Sequence, residues 1–73
     1  MTEGEKRIAI IMFNYAKGKY DLAYLKDVLA RGLKHLDECG AANVGQRFVS
    51  NLAAIEIAIE RIERAKEKTN DRA

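Results

Sequence analysis

Phe48, Leu52, Ile55, Ile59 and Ile62 recur at alternating steps of four and three residues, and no proline interrupts the chain anywhere. Positions three and four apart share a helical face, so this spacing predicts one long helix with all five side chains on a single stripe. Any fold of the chain has to cover that stripe. Around it there is no catalytic constellation or phosphate loop, so the pattern speaks for architecture before chemistry.

The chain has 73 residues, which we read as one helical domain, 1–73, closed by a frayed polar tail at 69–73. A domain of this size seldom gains more than about 3–5 kcal/mol from its own core. Support comes in such cases from disulfides, a metal, very good helix packing or a partner chain, and Cys39, the single cysteine, excludes an internal disulfide. A lone thiol suits a reducing cytoplasm. Hydrophobic content of 48% and charged content of 33% are globular values. The net charge of +2 is the remainder of 13 basic and 11 acidic residues, which by itself selects neither nucleic acid nor membrane. The longest apolar run, Ile8 to Phe13, is far short of a bilayer span and is followed by no cleavage signal, so a soluble cytoplasmic protein without membrane contact is expected.

Two further helices are predicted. Thr2-Glu3-Gly4-Glu5 has the form of a capping box, which starts a helix near Glu3 and runs it to about Lys17, with Gly18 as a left-handed stop. The run Ile8 to Phe13 also suits a buried strand, but no second strand exists to pair with it. Asp21 offers the cap for a second helix, along which Leu22, Leu25, Leu29, Leu33 and Leu36 recur at three and four until Gly40. Asn43, with Gln46 three residues on, resembles another capping box opening a third helix over about Val44 to Lys68. The fold class is therefore all-α: two shorter helices and a longer C-terminal one, with short connections.

Apolar surface exceeds what three short helices can cover. Ile57 points roughly 200° from the stripe of the third helix, in a stretch where only Glu56 is polar. Ile10 and Phe13 likewise fall off the face defined by Ile8, Met12 and Tyr15. A helix apolar nearly all round is buried nearly all round. Ala54 and Ala58 beside Ile57 would let two backbones approach closely. These features predict a homodimeric bundle with an interface of Ile10, Phe13, Leu52, Ile57 and Ala58.

The remaining candidates are weighed by their chemistry. His35 and Cys39 stand one helical turn apart, a spacing that brings two metal ligands together, but two ligands make no zinc site and no acid is placed to orient the imidazole for catalysis. A partly buried thiol beside a solvated histidine accounts for them, and no metal or cofactor is expected. Lys19, Tyr20, Tyr24, Lys26, Arg31 and Lys34 form a basic, tyrosine-bearing face on the second helix, which we take as the partner-binding face. Basic residues interleaved with aromatics also suit phosphate contact and base stacking. The junction through Gly40 is a weak match to a helix-turn-helix, because Gln46 stands where that motif needs an apolar anchor. The expected function is a non-enzymatic interaction module, a small adaptor, inhibitor or regulatory protein acting as a homodimer on another protein. The alternative is a small nucleic-acid-binding regulator using the basic face of the second helix.

Overall fold

Two side-chain caps open the first two helices. Thr2 accepts a hydrogen bond from the Glu5 amide at 3.2 Å, and Asp21 Oδ1 accepts one from the Tyr24 amide at 2.7 Å. Each satisfies an amide that has no partner in the first helical turn. The computed structural model describes residues 2–71, with side chains to Glu67, and holds three helices: α1 (Glu3–Ala16), α2 (Leu22–Cys39) and α3 (Gln46–Asp71). No strand occurs among the described residues, so Ile8 to Phe13 is helical.

The stops follow from glycine. After α1 the Gly18 amide donates to the Tyr15 carbonyl at 3.0 Å and the Lys19 amide to the Asn14 carbonyl at 2.9 Å. That pair of bonds is a Schellman closure and needs the left-handed φ of +85° that Gly18 adopts. Gly40, at φ +84° and ψ 145°, ends α2.

Two boundaries differ from expectation. Asn43 does not open α3; its amide nitrogen donates to the Cys39 carbonyl at 2.7 Å, and so it closes α2 across a single 3-10 turn, Ala41–Asn43. The first backbone bonds of α3 instead reach the Gly45 carbonyl, from Phe48 at 3.0 Å and Val49 at 3.3 Å. At the other end α3 continues to Asp71, beyond the expected stop at Lys68, so 69–71 of the expected frayed tail are helical. Arg72 and Ala73 lie outside the described residues.

α3 is the centre of the molecule. The backbones of α1 and α2 both approach α3 closely and approach each other little. Two clusters fill the junctions. Ile8 packs on Ala54 and Ala58, while Leu25 packs on Ile59 and Ile62, with Ile11 and Met12 touching both. The small side chains at 54 and 58 thus admit α1, and the large ones of the predicted stripe meet α2.

Two residues of the expected dimer interface lie largely inside the single chain. Ala58 is 0% exposed and Leu52 is 6% exposed. Ala58 is covered by the chain's own helices, while Leu52 also lines a hollow beside α2. The close approach that Ala54 and Ala58 permit is made inside the chain.

Candidate functional site

Ile10, Phe13 and Ile57, the other residues of that set, are exposed at 58%, 58% and 38%. They do not share one environment. The Lys17 ammonium sits 4.7 Å above the Phe13 ring, an exposed cation–π contact that leaves most of the ring open. Ile10 turns toward α2 and lines a hollow together with Tyr20, Tyr24, Val28 and Ile55. Surfaces expected to be separate therefore meet at this point: a residue assigned to self-association and two assigned to partner binding enclose one space.

The hollow has a volume of about 290 Å3 and abuts a second of about 500 Å3. Tyr24, Val28, Asn51 and Ile55 line both, so the two form one groove running along α2 over α3. Its origin is the topology, since two helices that pack on a third without closing on each other leave a furrow between them. Tyr20, just before the Asp21 cap, and Tyr24, in the first turn of α2, stack at 5.3 Å between ring centroids with an interplanar angle of 23°. Tyr24 remains half exposed, and Tyr20 is partly covered at the groove wall.

The basic face is less positive than its sequence implies. Lys26 reaches across to Glu63 of α3 at 2.9 Å, and Arg31 pairs with Asp27 on its own helix. Lys19 and Lys34 form no ion pair among the described residues. The face that remains is chiefly aromatic and aliphatic, bordered by cations. Val28 and Arg7 belong to it and were not anticipated. Val28 continues the Tyr20–Tyr24 row at the next step of four, which is a readable signal, whereas Arg7 arrives from α1 by tertiary packing alone.

His35 and Cys39 are brought together as their spacing requires, with both ring nitrogens 3.8 Å from Sγ. The His35 ring also meets Phe48 edge-on at 5.4 Å. Among the described residues no three of His, Cys, Asp and Glu gather where they would hold a metal ion. No helix among them is long and apolar enough to cross a membrane. Compared with known protein families, with curated proteins and with solved structures, the chain matches none.

Proposed function

We propose that this chain is a non-enzymatic protein-interaction module of the cytoplasm, a small adaptor, inhibitor or regulatory protein. It works as a helical homodimer and offers the tyrosine-bearing face of α2 to another protein. One observation carries the self-association: among the described residues seven apolar side chains are buried, two of them only alanines, Ala54 and Ala58, while six large apolar residues are exposed. Such a core suits a domain whose own stability is slight. A second copy covering Phe13 and Ile57 adds burial at about 25 cal/mol per Å2.

The test is thermal unfolding followed by circular dichroism at several protein concentrations. Coupling of folding to association makes the melting temperature rise with concentration. A melting temperature that stays constant over about a hundredfold range contradicts the dimer. The nucleic-acid alternative has less support, because Lys26 is engaged with Glu63 of α3 and the groove beside α2 is lined chiefly by apolar side chains. It predicts affinity that falls steeply with salt.

A further inference from the structure

We propose that the α1–α2–α3 groove takes one amphipathic helix of a different protein, whose apolar stripe is flanked by carboxylates. The inference rests on the interaction-module reading and specifies the partner of its α2 face. Along α2 the groove extends from Tyr24 to Gly32, with Tyr20 at its end just before the helix. At about 1.5 Å per residue the helical part is roughly 12 Å, a little over two turns. Two turns present anchors at i, i+3 or i+4, and i+7, and the Tyr24, Val28 and Ile55 walls offer apolar seats for them.

Charge selects the occupant. Among the described residues the only charged side chains lining the groove are Arg7 in one hollow and Arg31 in the other, and no carboxylate lines it. Their present partners lie at the surface: Glu3 stands 4.0 Å from Arg7, and Asp27 hydrogen-bonds to an Arg31 that is largely exposed. Exposed ion pairs are worth little and exchange readily for a better acceptor. A guanidinium in each hollow therefore favours a helix with an acidic residue toward each end and disfavours a basic one.

A displayed library of short helical peptides, selected on the full chain, tests this. The expected winners carry the apolar i, i+3/i+4, i+7 pattern with Asp or Glu flanks. They lose about tenfold in affinity against R7E/R31E, and they do not bind Val28→Glu or Tyr24→Glu chains that retain wild-type helicity. Two groove variants are used so that misfolding of one leaves the other informative. No enrichment, basic-flanked winners, or binding unaffected by both groove variants overturns the proposal. So does dissociation of a wild-type dimer by Val28→Glu, since a second copy would then fill the groove. Self-association is scored apart from selection: a monomer that selects acidic helices removes the dimer and keeps the groove, and a dimer that selects none does the reverse.

Discussion

Gly32 of α2 faces Leu52 of α3 with no room for a side chain between them. A methyl group on the Gly32 Cα would overlap Leu52 Cδ2 and lie 3.3 Å from its Cδ1 and Cγ. Leu52 is itself buried, so making room for a methyl group means repacking its side chain. The glycine thus sets how closely α2 approaches α3, although glycine in a helix interior costs up to about 1 kcal/mol relative to alanine.

Gly32→Ala is expected to lower stability by about 1 kcal/mol, because overpacking of about 1–3 kcal/mol outweighs the gain in helix propensity. In a Leu52→Val background, which has no Cδ atoms, the same change should stabilise by up to about 1 kcal/mol. Urea unfolding of the four chains measures both. The same sign in both backgrounds contradicts the packing account.

Ala58 is expected to resist enlargement. Ala58→Leu forces Ile8 and α1 away from α3 and should cost about 1–3 kcal/mol or more. Ala53→Leu, at an exposed position of the same helix, should stay within about 0.5 kcal/mol. Denaturation midpoints that do not separate the two would place α1 elsewhere.

Gly40 and Gly4 should respond with opposite signs to alanine. Gly40 holds a backbone conformation that side-chain-bearing residues rarely adopt, so Gly40→Ala should cost about 1–3 kcal/mol. Gly4 is helical and open to solvent, and Gly4→Ala should stabilise by about 0.5–1 kcal/mol. Thermal melts under identical conditions compare them.

The Lys26–Glu63 bridge joins α2 to α3 through side chains that are both about half exposed. A double-mutant cycle with alanine at each position should give a coupling of about 0.2–1 kcal/mol. The coupling should fade near 1 M salt, where the screening length is about 3 Å. A larger coupling that salt leaves unchanged would contradict an exposed bridge.

The helices were legible because their signals are local. Thr2 and Asp21 cap amides three residues away, and the stripe from Phe48 to Ile62 marks a face whatever covers it. Ala54 and Ala58 were readable as a site of close approach but not as the seat of α1, since spacing identifies a face and not its occupant. Asn43 misled because an asparagine between two helices can serve the end of one or the start of the next, and only the Cys39 carbonyl's position decides. The groove has no sequence signature of its own. It exists because α1 and α2 both choose α3, and a gap between elements is a tertiary property.

The most direct test of the dimeric interaction module is the mass of the full chain in solution, measured by light scattering over a wide concentration range. Each chain weighs 8.2 kDa. The account predicts a stable particle of twice that mass, reduced to the single-chain value by glutamate at Phe13 and Ile57. A folded wild-type chain that stays at 8.2 kDa at every concentration would contradict it.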